Sequence, residues 1–153
     1  MALFLHLSVG CAARKYFSKM NIFLCIVAAF LPDIILIPFS LMGVNGINWT
    51  HSLVMAIILS IILGLISYLF TRNIKHCIII ILLALSHWII DFITWPLVAL
   101  IPDAKNIPIF FETDSRLGLG LYRQKYIAFP IEIISLMVSV WLIYKINRER
   151  TKL

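Results

Sequence analysis

The stretch "HCIIIILLALSHWIIDFITWPLVALI", residues 76–101, decides how the chain is read. It exceeds the ~20 apolar residues that a helix needs to cross ~30 Å of hydrocarbon, yet it carries His87 and Asp91 near its middle. Spaced i and i+4, the two side chains share one helix face about a turn apart. Composition tells what surrounds that face. Of 153 residues, 62% are hydrophobic and 13% charged, too little polar surface to cover a water-soluble domain. The expected fold class is all-α: an integral membrane helical bundle forming one domain, residues 1–153.

Three further apolar runs, 20–43, 52–70 and 127–146, approach or exceed the crossing length, so four full transmembrane helices are expected. A fifth run, residues 1–13 ("MALFLHLSVGCAA"), is short for a crossing and ends at Arg14 and Lys15. A partial, tilted or re-entrant membrane helix is expected there. Its charges follow the apolar core, the reverse of a secretory signal, so it is expected to stay in the mature chain. Cys11, Cys25 and Cys77 stand singly in apolar segments without a CxxC, as small packing residues do.

The formal net charge is +6, and the Lys and Arg residues gather at span ends: "RKYFSK" (14–19), "RNIK" (72–75) and "KINRERTK" (145–152). That distribution orients a membrane protein; it forms no groove for nucleic acid, and no nucleic-acid partner is expected. Placing all three clusters in the cytoplasm sends 20–43 outward, 52–70 inward, 76–101 outward and 127–146 inward. The C-terminus is then cytoplasmic. The link 44–51 and the loop 102–125 lie outside, and residues 1–13 descend from the outer side.

Six of the eleven histidines and carboxylates fall at membrane depth or its border: His6, Asp33, His51, His87, Asp91 and Glu132. Ionisable groups inside a bilayer cost several kcal/mol and mark functional sites by default. The topology puts all six in the outer half of the bilayer, so one polar cluster is the economical reading. Pro32 precedes Asp33, and its ring clashes with the carbonyl of Ala28, which opens the helix where irregular backbone can line a polar cavity. Three carboxylates in a dry bundle with few cations are unfavourable, and one or more divalent ions would offset them. Imidazole with carboxylate suits zinc first, with iron, manganese or nickel as fits of the same donor set. Such a site would hold a water with its pKa lowered to ~7 and a spare carboxylate, Glu132 or Asp33, as general base.

Plainer roles exist for each residue taken singly. A lone intramembrane histidine more often packs or hydrogen-bonds than ligates. His51, between Thr50 and Ser52, also fits an interfacial residue, and Glu132 also fits a partner for Arg116 or Arg123. Arg116, Arg123 and Lys125 in the outer loop would steer an anionic headgroup, although a mixed-charge loop is more often simply solvated. His76, beside Lys75, falls outside the cluster.

At these residues the chain resembles the bacterial membrane-bound metal-dependent hydrolase family of small inner-membrane proteins. The matching motifs are "HLSVG" (6–10), "LPDI" (31–34), "THSLVMA" (50–56), "LSHWIIDFIT" (85–94) and "GLGLYRQKYIAFPIEIISLMVSVWLIY" (118–144). The resemblance implies an inner-membrane enzyme, remotely similar to zinc-dependent phospholipases C, with His6, Asp33, His51, His87, Asp91 and Glu132 as its site residues. The substrate expected is a phosphoester, lipid-like or otherwise anionic, drawn from the membrane. In "TWPLVALIPDAKNIP" (94–108) the chain departs from its relatives, with Trp95 where they carry a histidine and the Pro-Asp pair delayed to Pro102 and Asp103.

Two other classes compete. A metal-ion or proton carrier also uses buried carboxylates and histidines, but a pathway needs polar groups in both leaflets and the inner half is almost bare of them. A non-enzymatic assembly protein would use the cluster only to hold helices together. No GxSxG is present, and Ser52 and Ser86 adjoin histidines in sequence without facing them along a helix, which argues against a serine hydrolase.

Overall fold

A computed structural model of the protein describes residues 2–17, 19–43, 50–94 and 119–150. Within them the chain is all-helical: α1 Leu3–Tyr16, α2 Ile22–Ala29, α3 Leu31–Leu41, α4 Leu53–Thr71, α5 Ile74–Thr94 and α6 Lys125–Arg150, with a 3₁₀ turn at Leu121–Arg123. Three segments, Leu53–Thr71, Ile74–Thr94 and Lys125–Glu149, are long and apolar enough to cross a membrane. Their outward faces expose large apolar side chains such as Leu69, Phe70, Leu82, Met137 and Trp141. Water would penalise a continuous surface of that kind, whereas lipid tails solvate it.

The expected fourth span, 20–43, is not one helix. It divides at Phe30 into α2 and α3, which meet at a bend of 63°. Pro32 is the cause: with no N–H it cannot bond the Ala28 carbonyl, but it sits comfortably in the first turn of a new helix. Phe30 is the residue that leaves helical geometry (φ −111°, ψ 10°), so the break falls ahead of Leu31 rather than beside Asp33. By length and composition the described residues give three spans, and a fourth only when the bent pair is counted as one. The span expected over 76–101 runs as helix to Thr94, and Trp95, Pro102 and Asp103 lie outside the described residues.

Residues 1–13 yield α1, a 14-residue helix, about 21 Å long at 1.5 Å per residue. It is too short for the three long helices' role and packs instead against α2, α5 and α6. His6, Ser8, Gly10 and Cys11 are its buried face. Gly10 permits the approach to α2: a Cβ there would lie 3.2 Å from the Cys25 carbonyl oxygen and 3.2 Å from Ile26 Cα. On α4 the buried stripe is small, Ala56, Ser60, Gly64 and Ser67, and faces α5. Small residues at four-residue spacing let membrane helices close on each other. A Cβ on Gly64 would meet Ile81 Cδ1 at 2.8 Å. Cys11, Cys25 and Cys77 are free and buried in these contacts.

Two ties run α1 alongside α6 in the same direction. The Phe4 N–H, at the start of α1, donates to Glu132 Oε2 at 2.8 Å, and Lys15, near its end, pairs with Glu149. The relative direction is the one implied by placing Arg14, Lys15 and the basic tail together. Lys19 and Lys75 line one cavity, so all three basic segments gather at one end of the bundle. His6, His51, His87 and Asp91 lie toward the other: Asp91 is 15 residues beyond His76 on α5, a rise of about 22 Å.

Candidate metal centre

Five of the six expected site residues converge, carried by four features of the fold. The buried stripe of α5 runs Cys77, Ile80, Ala84, His87, Asp91 and Thr94, so the same face that packs the helix presents the ionisable pair. Asp33 comes from the first turn of α3, just past the bend. His51 precedes α4, beside its N-cap Ser52, and His6 comes from α1. His6, His51, His87 and Asp91 are at most 2% exposed, while the Asp33 side chain is 12% exposed.

Asp91 is the hub. Its Oδ1 lies 3.2 Å from His6 Nε2, and its Oδ2 lies 3.2 Å from His87 Nε2 and 3.6 Å from His51 Nε2. Asp33 closes the other side, with Oδ1 3.2 Å from His51 Nε2 and Oδ2 3.9 Å from His87 Nε2. The rings of His6 and His87 stack with centroids 4.0 Å apart, and His51 meets His87 edge-on. Ligand atoms of His6, His87 and Asp91 all lie within 4.8 Å of one another, as do those of Asp33, His51 and His87. His87 belongs to both groups.

Hydrogen bonding fixes which nitrogen of His87 faces the cluster. Its Nδ1 lies 2.8 Å from the Ala29 carbonyl oxygen. A carbonyl only accepts, so Nδ1 carries a hydrogen, and when the ring is neutral its Nε2 lone pair faces the carboxylates. Ala29 ends α2, and in an unbroken helix its carbonyl would serve the Asp33 N–H. The bend that Pro32 causes therefore provides the acceptor that orients His87. For His51, Thr50 Oγ1 lies 2.7 Å from Nδ1 and holds the ring from behind.

The result is an electrostatic conflict. Buried His87 Nε2, Asp91 Oδ2 and Asp33 Oδ2 have no hydrogen-bond partner among the described residues, and with His87 neutral all three are acceptors. Facing lone pairs in a dry interior cost several kcal/mol unless a cation lies among them. The spacing suits one: a tetrahedral ion about 2.0–2.1 Å from nitrogen and oxygen ligands holds them about 3.3 Å apart. A histidine whose other nitrogen donates to a carbonyl is the usual arrangement of a metal ligand. The donor set, imidazole and carboxylate without thiolate, matches zinc and its first-row neighbours.

Glu132 stands apart. Its Oε2 accepts the Phe4 N–H and its Oε1 accepts the Tyr122 hydroxyl at 2.7 Å, and it belongs to neither converging group. It occupies an unsatisfied donor at the start of α1, two residues from His6, where the helix dipole also favours a negative charge. Arg116 and the side chain of Arg123 lie outside the described residues, while Lys125 is exposed at the start of α6. The sequence reading missed three supports: the Ala29 carbonyl, Thr50 and Tyr122. Thr50 was legible as the neighbour of His51. Tyr122 and the Ala29 carbonyl were not, because neither carries a local pattern.

Among the described residues the fold and site thus define a class: an all-helical fold with three membrane-length helices and a buried histidine–aspartate cluster. Comparison with known protein families, with curated proteins and with solved structures finds no match.

Proposed function

We propose that the chain is an integral-membrane, metal-dependent hydrolase that cleaves a lipid-like phosphoester, with its site in the outer half of the bacterial inner membrane and its C-terminus in the cytoplasm. The observation that carries the reading is the meeting of acceptors at His87 Nε2, Asp91 Oδ2 and Asp33 Oδ2. His6, His51, His87 and Asp91 hold the ion, zinc by preference, with Asp33 shared between ligation and base catalysis. A divalent ion held by these residues would supply an acidified water and Lewis-acid polarisation of a phosphoryl oxygen. The resemblance of the motifs around these residues to membrane-bound metal-dependent hydrolases supports the same assignment. Glu132 serves by fixing α1 and so His6, a positioning part in place of the ligand or base expected from sequence.

Asp33 also gives the reading its substrate class. It is the cluster's most exposed member and lines a groove of about 900 Å³ in the bend between α2 and α3, otherwise built largely from apolar side chains such as Phe23, Ile26, Phe30 and Ile37. An amphiphile laid in that groove puts its chain against the apolar wall and its polar junction beside Asp33. Asp33 would then take the proton of the water that attacks phosphorus and return it to the alkoxide released as the P–O ester bond breaks. The test is elemental analysis of detergent-purified protein beside His87→Ala and Asp91→Ala. The wild type should carry at least one equivalent of metal and each variant almost none, and metal-loaded wild type should release phosphate or headgroup from labelled lipids. Sub-stoichiometric metal after repletion would sink the reading, and metal with liposome flux but no release would make the protein a carrier.

A further inference from the structure

We propose that the basic end of the bundle holds a second lipid site, a cleft for one anionic glycerophospholipid, separate from the metal centre. The turn after α1 and the start of α5 border an open cleft of about 630 Å³ lined by Tyr16, Phe17, Lys19, Asn73, Lys75 and His76, with Ile78 and Ile79 behind them. Its polar side chains are ammonium, imidazole, amide and phenol, with no carboxylate among them. The one described acid at this end, Glu149, is engaged by Lys15, and neither Lys19 nor Lys75 forms an ion pair with a described residue. Two uncompensated ammonium groups around one concavity recognise an anion.

A groove identifies the anion as the head of a lipid. Tyr16, Phe17 and Ile79 also line a second space of about 310 Å³ between α1 and α5, continued by Val9, Ala13 and Leu82. This space is apolar and runs along the helices away from the basic end, kept open by the small side chains of Ala12 and Ala13. A charged mouth joined to an apolar trough parallel to the bundle axis is the shape of a phospholipid in the leaflet at that end. Basic pockets between membrane helices take anionic headgroups, and a volume of this size falls within ~300–1,000 Å³ for ligand clefts. The site rests on residues at the opposite end of α5 from His87 and Asp91, so it stands or falls without the hydrolase reading.

Native mass spectrometry of the full chain with dioleoylphosphatidylglycerol or dioleoylphosphatidylcholine tests it. The wild type should hold one phosphatidylglycerol at least tenfold more tightly than phosphatidylcholine. Lys19→Gln with Lys75→Gln should lose that preference while keeping the wild type's metal content. Lys19→Arg with Lys75→Arg should retain it, as should Lys125→Gln at the far end. Ala12→Phe, which fills the trough, should weaken phosphatidylglycerol binding with both lysines in place. Equal retention by the glutamine variant, or the same loss in Lys125→Gln, would overturn the proposal. Competition by millimolar inorganic phosphate with no effect of Ala12→Phe would also overturn it, leaving a site for a free anion.

Discussion

His87 shows how one hydrogen bond sets the chemistry of a buried site. Its Nδ1–H is spent on the Ala29 carbonyl, so in the neutral ring its Nε2 can only accept, against two carboxylates that also only accept. Replacing Asp91 by Asn would set an amide donor opposite that lone pair. Asp91→Asn should therefore bind metal at least tenfold more weakly, yet unfold in detergent about 1 kcal/mol later than chelator-treated wild type. Equal stability of the two metal-free proteins would argue against the conflict. Glu132 gives the complementary test. Bound to the Phe4 N–H and the Tyr122 hydroxyl, it positions α1, so Glu132→Gln should keep full metal stoichiometry by elemental analysis, whereas Asp33→Asn should lose affinity. Tyr122→Phe should cost about 1 kcal/mol in denaturant unfolding, with metal still bound.

Between elements, the deciding feature is the break that divides the run 20–43 into α2 and α3. Pro32 ends one helix and begins another, and the bend between them yields both the carbonyl that orients His87 and the groove beside Asp33. Pro32→Ala restores an N–H able to bond Ala28, which favours a continuous helix and withdraws the Ala29 carbonyl. Metal affinity should fall by roughly 10–100-fold, the usual cost of losing a ligand's supporting hydrogen bond; an unchanged titration would show that the bend does not depend on the proline. The closeness of α1 and α2 is a second constraint. A side chain at Gly10 meets the backbone at Cys25 and Ile26, so Gly10→Leu should destabilise by about 1–3 kcal/mol and carry His6 off the cluster, read as a joint loss of thermal stability and bound metal.

For the molecule as a whole, the arrangement is polarised: basic segments at one end, the histidine–aspartate cluster toward the other, exposed apolar faces between. Tyr16→Cys and Leu119→Cys, in a background with the three native cysteines replaced by Ala, should react with an impermeant maleimide from opposite sides of the membrane, Tyr16→Cys from the cytoplasm. Labelling of both from one side would refute the topology. Composition and charge placement alone established an all-helical chain, because apolar length and clustered lysines report on the solvent and not on any partner helix. They also singled out the five residues that converge, since an ionisable group in an apolar run is costly wherever the run folds. Tertiary structure decided the rest. The hydrogen-bond partners of Glu132, the start of α1 and Tyr122, are contacts that no spacing in the sequence encodes. Which nitrogen of His87 faces the cluster depends on the Ala29 carbonyl meeting its ring, a relation between segments 58 positions apart that exists only once the helices have packed.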